Sequence, residues 1–218
     1  MTARDAFYLD REVVRASFDR ASGTYDHAAV LQSRVADELL ERVDTFNLRP
    51  QVVLDLGAGT GRGTAALKRK FRRSLVIAVD LAPRMLFEAR RYQRLFRRFE
   101  RICADATCLP FGDNTIDIVF SSLMLQWCDL DEAFREVRRV LTPEGLFIFS
   151  TFGPDTLKEL RAAWAKADGY NHVNHFLDMH DVGDALVRAG LSEPVLDVDR
   201  LQLLETATLC GERLGRQH

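Results

Sequence analysis

Apolar residues fall into two kinds of repeat along this chain. Ala28, Leu31, Val35, Leu39 and Val43 recur at helical spacing, which predicts an amphipathic helix over roughly 28–45. Short unbroken apolar runs follow. Val52-Val53-Leu54-Asp55-Leu56 and Leu75-Val76-Ile77-Ala78-Val79-Asp80 read as buried strands. Ile102-Cys103-Ala104, Ile116-Asp117-Ile118-Val119-Phe120 and Leu146-Phe147-Ile148-Phe149 read as three more, the last after a Pro143-Glu144-Gly145 turn. Helices are expected between them, over 64–71, from Pro83 to about Arg98, and over 130–141. Two further helices are expected at 154–166 and 179–189, and a weak sixth strand at 195–203.

Strand and helix therefore alternate, and the strands are apolar on both faces. Such strands are covered by helices on each side, which predicts an α/β fold with a doubly wound, mostly parallel sheet. In these sheets ligands bind beyond the carboxyl ends of the strands, near the point where strand order reverses. A length of 218 residues suits one domain, and no linker divides it.

Composition adds exclusions. With 47% hydrophobic and 28% charged residues, the chain is neither fibrous nor disordered. Met1 to Arg11 is polar, and no apolar run approaches the ~20 residues that span a bilayer. No export and no membrane are expected, and a cytoplasmic location is. Cys103, Cys108, Cys128 and Cys210 form no CxxC pair, so reduced thiols and no metal are expected. Charge is more informative. The net value is −2, yet Lys68 to Arg101 carries about +9 and the remainder about −11. A basic segment of this size suits an acidic partner. No aromatic-rich basic motif accompanies it, so no nucleic acid is expected.

The candidate chemistry begins where the first strand ends, at Asp55-Leu56-Gly57-Ala58-Gly59-Thr60-Gly61. Glycines let backbone turn tightly and approach a ligand without a Cβ clash. The next helix starts at once, so its free N–H groups face the same place. A nucleotide-type cofactor site is the first inference. Arg62 stands where a dinucleotide loop has its third glycine, and no Gly-Lys-Ser/Thr follows as in a P-loop. Two acids sharpen the reading. Asp80 ends the second strand, where a carboxylate can accept from both ribose hydroxyls. Asp105 follows the third strand, before Ala106, and Leu81 could pack on a ring.

The G-x-G-x-G loop resembles motif I of the Rossmann-like class I methyltransferases. That resemblance implies S-adenosylmethionine as cofactor, with S-adenosylhomocysteine as product. It implies binding by Asp55, Gly57, Ala58, Gly59, Gly61, Asp80 and Leu81, with Asp105 and the Ala106 N–H meeting the adenine. Further segments narrow it: Ser17-Phe18-Asp19-Arg20-Ala21-Ser22-Gly23-Thr24-Tyr25-Asp26, Leu125-Gln126-Trp127-Cys128, Phe149-Ser150-Thr151-Phe152-Gly153-Pro154-Asp155-Thr156-Leu157, His172-Val173-Asn174-His175-Phe176 and Asp178-Met179-His180-Asp181. Together, over about 15–204, they resemble the malonyl-acyl-carrier-protein O-methyltransferases of biotin synthesis.

That resemblance implies methyl transfer to the free carboxylate of a malonyl thioester on an acyl carrier protein, which is acidic. A carboxylate is already ionised at neutral pH and needs no catalytic base. Tyr25, Gln126, Trp127 and His172 are the candidates to face the acceptor, with His175 beside His172. His180 and Asp181 are expected to cap the next helix. The chain then divides into an N-terminal helical lid (1–48), a cofactor-binding core (50–152) and an acceptor-side, shortened C-terminal part (153–218). Related enzymes continue with another helix and strand, so either a sheet of about six strands or strand borrowing by dimerisation is expected. Two other readings stand beside this one. The Phe152-to-Leu157 segment also resembles respiratory complex I assembly factors that modify a protein arginine, and a shortened chain could bind cofactor without turnover.

Overall fold

The computed structural model describes residues 10–93, 97–156, 158 and 176–201. The N-terminal part holds α1 (Arg11–Ala21), α2 (Tyr25–Ala28) and α3 (Val30–Val43). Then come β1 (Val52–Leu56), α4 (Arg62–Lys70), β2 (Leu75–Asp80) and α5 (Pro83–Glu88), which passes into a 3-10 turn over Ala89–Tyr92. β3 (Glu100–Cys103), β4 (Ile116–Ser122), a 3-10 turn over Leu125–Trp127, α6 (Leu130–Val140), β5 (Leu141–Ser150) and α7 (Met179–Arg188) complete the described elements.

The strands form one parallel sheet in the order β3-β2-β1-β4-β5. Period-two alternation divides each strand between two cores. Leu54, Leu56, Ile77, Val79 and Val119 face one side and pack with Phe134 and Val137 of α6 and Val182 and Leu186 of α7. Val53, Val76, Ala78, Ile118 and Phe120 face the other and pack with Leu39 and Val43 of α3, Leu67 of α4 and Leu86 of α5. Helices thus cover both faces, and the doubly wound reading holds. β1 pairs with both β2 and β4, so strand order reverses at β1, beside the glycine loop.

Four expectations change. The helix from Pro83 stops at Glu88 rather than near Arg98, and only a 3-10 turn carries the chain on to Tyr92. β5 starts earlier than expected, at Leu141: Ile116 pairs with Leu141 and Ile118 with Leu146, so the Pro143-Glu144-Gly145 turn lies within it as a bulge. Residues 195–201 make no strand, and the rest of the expected sixth strand lies outside the described residues. The cap of α7 is Asp178, whose carboxylate accepts from the N–H groups of His180 and Asp181, at 2.7 and 3.0 Å. Most of the 154–166 helix also lies outside the described residues.

Candidate functional site

The glycine loop leaves β1 at the carboxyl edge of the sheet. Gly57, Gly59 and Gly61 have φ of 79°, 52° and 83°, all in the region that favours glycine. Space explains two of them. A Cβ on Gly57 would overlap the Met124 side chain, and one on Gly61 would stand 2.6 Å from Ala89 Cβ. Gly59 is different, because nothing lies within 4 Å of where its Cβ would be. Its freedom is kept toward an open cleft. The Gly57 and Ala58 N–H groups both donate to Val79 O, at 2.8 and 2.9 Å, which ties the loop to the end of β2.

Asp80 sits at that strand end. Its Oδ2 accepts from Gly59 N at 2.7 Å and its Oδ1 from Ala82 N at 2.8 Å. Each oxygen keeps a lone pair for a further donor. Burial raises its pKa, and the two backbone N–H bonds partly offset this. Asp55 lies beneath the loop, only 3% exposed, and accepts from Thr64 Oγ1 at 2.5 Å. Burial pushes its pKa up to about 7, against the Thr64 bond and with help from the Asp80 charge. Leu81 and Ala106 flank the acids, Leu81 half-buried and Ala106 buried. Asp105 Oδ1 accepts from the Thr107 N–H and hydroxyl, both at 2.8 Å, and its Oδ2 pairs with Arg11 at 3.0 Å.

That last contact brings in the N-terminal helices, which touch the loops after four strands. Thr60, after β1, donates to Asp26 Oδ1 at 2.5 Å. The Arg84 N–H, after β2, donates to Asp19 at 2.9 Å. Asp105, after β3, holds Arg11, and Trp127, after β4, meets Phe18 edge to face at 5.3 Å. Asp26 is the busiest of these residues: Arg91 pairs with it and the Tyr92 hydroxyl donates to it at 3.1 Å. Its neighbour Tyr25 borders a cavity of about 80 Å³ with Asp55, Gly57, Gly59 and Ser122. Burial raises the Tyr25 pKa, and the Asp80 and Asp26 charges add to the rise.

Gln126 is already engaged. Its amide donates to Leu123 O at 2.6 Å, and its Oε1 accepts from Thr151 at 3.4 Å. It thereby holds a turn in which Leu123 has φ 48°. His172 and His175 lie outside the described residues. Arg62, which sets this loop apart from a dinucleotide loop, points at α3: it pairs with Asp37 at 2.7 Å and donates to Ser33 O at 3.1 Å. Sequence reading missed Asp26, Asp19 and Arg11 as partners of the cleft, and missed Ser122 on its wall. The Tyr25-Asp26 pair was in view, but nothing local ties Asp26 to Thr60.

A parallel sheet with a glycine loop leaving β1 and acids closing β2 and β3 defines a Rossmann-like methyltransferase. A family model described as a methyltransferase domain matches residues 54–149, the sheet and its loops. The malonyl-acyl-carrier-protein O-methyltransferase of Methylovorus sp. (strain MP688) is 52% identical over 210 residues, 93% of this chain and 71% of that protein. The one of Laribacter hongkongensis is 50% identical over 208 residues, 91% of this chain and 70% of that protein. The chain belongs to the malonyl-acyl-carrier-protein O-methyltransferase family. Among solved structures, a Haemonchus contortus phosphoethanolamine N-methyltransferase in complex with S-adenosyl-L-methionine is 26% identical, with a TM-score of 0.57 over 71% of this chain and 36% of that one.

Proposed function

We propose that this chain methylates the free carboxylate of a malonyl thioester on an acyl carrier protein, with S-adenosylmethionine as donor, early in biotin synthesis. The observation that carries the reading is family membership, at half of all positions over nine-tenths of the chain. It favours this enzyme over an arginine-modifying relative of the complex I assembly factors. The open face of Gly59 and the free lone pairs of Asp80 fit the cofactor.

The loop backbone at Gly57, Ala58, Gly59 and Gly61 would hold it, with Asp55 supporting the loop from below. Asp80 would accept from the ribose hydroxyls. Leu81 would lie on the adenine, while Asp105 and the Ala106 N–H meet its edge. Arg11 would share Asp105 with the adenine amino group, since a carboxylate has sites for both. When bound, the cofactor supplies a methyl group on a positively charged sulfur.

The acceptor needs no proton removed. Transfer would join that methyl to the carboxylate oxygen and leave S-adenosylhomocysteine as a neutral thioether. A negative and a positive charge disappear together, so a dry site favours the step. The chain must place the carboxylate in line and exclude water. Tyr25 stays protonated at neutral pH and would donate to the carboxylate without quenching it. Gln126 and Trp127 would shape the wall after β4, and His172 would complete the acceptor side.

The test is incubation of purified protein with methyl-labelled S-adenosylmethionine and malonyl-acyl-carrier protein. Base-labile label on the carrier is expected. Label on arginine, or none on any acceptor, overturns the reading.

A further inference from the structure

The structure divides the basic segment into two groups of opposite placement. Arg69 lies in the last turn of α4, and Arg72 and Arg73 lie between α4 and the start of β2, at the amino edge of the sheet. Arg97 and Arg98 precede β3 and share that edge. This edge is the far end from the glycine loop. α5 is placed differently. It starts just after Asp80, at the carboxyl edge, and runs back along the sheet through the 3-10 turn.

On this segment Met85, Leu86 and Ala89 are buried, and Arg84, Phe87 and Arg90 are exposed at three-residue spacing. Residues three apart on a helix or 3-10 turn share one face. The Arg90 guanidinium lies over the Phe87 ring at 5.3 Å from its centroid. Phe87 is nevertheless 60% exposed. Neither Arg84 nor Arg90 has an ion-pair partner among the described residues. Arg91, the next residue, is different, being taken by Asp26 and Glu88. The result is a ridge: cation, apolar ring, cation, descending from the mouth of the cleft.

We propose that Arg84, Phe87 and Arg90 form the docking ridge for the acyl carrier protein. The inference rests on the function proposed above and adds the surface that receives the partner. An acidic helix would set carboxylates on Arg84 and Arg90 and an apolar side chain on Phe87. An exposed aromatic between two unpaired arginines suits such a partner, because the ring supplies area and the cations supply register. Docking beside Asp80 puts the carrier next to the cleft that its malonyl arm must enter. The arginines of the amino edge point away from it and serve no such role.

The experiment compares two acceptors, malonyl-acyl-carrier protein and a malonyl thioester of a short pantetheine-like thiol. The variant is R84E/F87A/R90E, and the control is R72E/R73E at the far edge. For the ridge variant, KM for the carrier-bound substrate should rise at least about tenfold, with a weaker dependence on salt. Turnover of the small thioester and KM for S-adenosylmethionine should stay at the parent values, which also shows that the variant folds. The control should match the parent on both acceptors. Equal losses on both acceptors, an unchanged carrier KM, or an equal carrier effect in the control overturns the ridge. Failure of the parent itself to methylate either acceptor overturns the underlying function, and that outcome is visible before any variant is made.

Discussion

Thr60 donates its hydroxyl to Asp26 Oδ1 at 2.5 Å, and this bond joins the glycine loop to the N-terminal helices. Arg91 and Tyr92 hold the same carboxylate from the far end of the α5 segment. Asp26→Ala removes all three contacts at once. These groups are partly exposed, so the effect should be modest, roughly 1–2 kcal/mol, or about tenfold weaker S-adenosylmethionine binding by calorimetry. Cofactor release should quicken, while the thermal midpoint of the sheet stays near the parent value. Unchanged affinity would show that the N-terminal helices do not hold the cofactor in.

Asp80→Ala acts on the cofactor directly. It removes the acceptor proposed for the ribose and also orphans the Gly59 and Ala82 N–H groups. Affinity should fall by roughly 1–3 kcal/mol. Asp80→Asn keeps an oxygen for one of the two N–H groups and should lose less. Calorimetric titration of the two variants beside the parent checks the order.

Two loop glycines should respond differently to alanine. At Gly61 the added Cβ meets Ala89 at 2.6 Å and the backbone has φ 83°. Overpacking and strain together should cost about 2–4 kcal/mol of stability. At Gly59 there is open space, so only the cost of φ 52° remains, about 1 kcal/mol. Gly59→Ala should therefore melt close to the parent yet bind the cofactor poorly. Chemical denaturation and a binding titration on both variants separate the two effects.

Asp55 sets a pH dependence of stability. Its carboxyl is pushed up to about 7 by burial, from an ordinary value of 3.8. The folded protein thus holds this proton more tightly than the unfolded chain. Its contribution is greatest below the unfolded value and is lost as pH rises through about 7. Asp55→Asn keeps an oxygen for the Thr64 hydroxyl and cannot ionise. Relative to the parent, the variant should gain stability between pH 5 and pH 8, read from urea midpoints at the two values. A pH-independent difference would place the Asp55 proton elsewhere.

β1 and β2 were legible to the residue because a strand buried on both faces writes an unbroken apolar run. The loop was legible because glycine alone meets three positive φ values so close together. The acids were legible from their place at strand ends. The side-chain contacts that join the N-terminal helices to the strand-end loops were not. Arg11 meets Asp105, Asp19 meets Arg84 and Asp26 meets Arg91, pairs separated by 94 to 65 positions, and no local pattern encodes them. Gln126 was visible as a polar residue after β4, but its bond to Leu123 depends on a backbone turn that periodicity cannot reveal. α5 was overread because Arg90, Arg91 and later basic residues suit a helix, while the chain must turn back early to start β3 at Glu100.

The N-terminal cover differs in kind from the sheet beneath it. Val14 is the single buried residue of α1, and α2 has none. Lifting these helices exposes little apolar surface, so it should carry a small heat-capacity change and a shallow denaturant slope. Amide exchange in 11–28 should then proceed by a local opening well below the free energy of global unfolding. On that outcome the molecule would behave as two cooperative units, with the sheet staying intact while the N-terminal helices open.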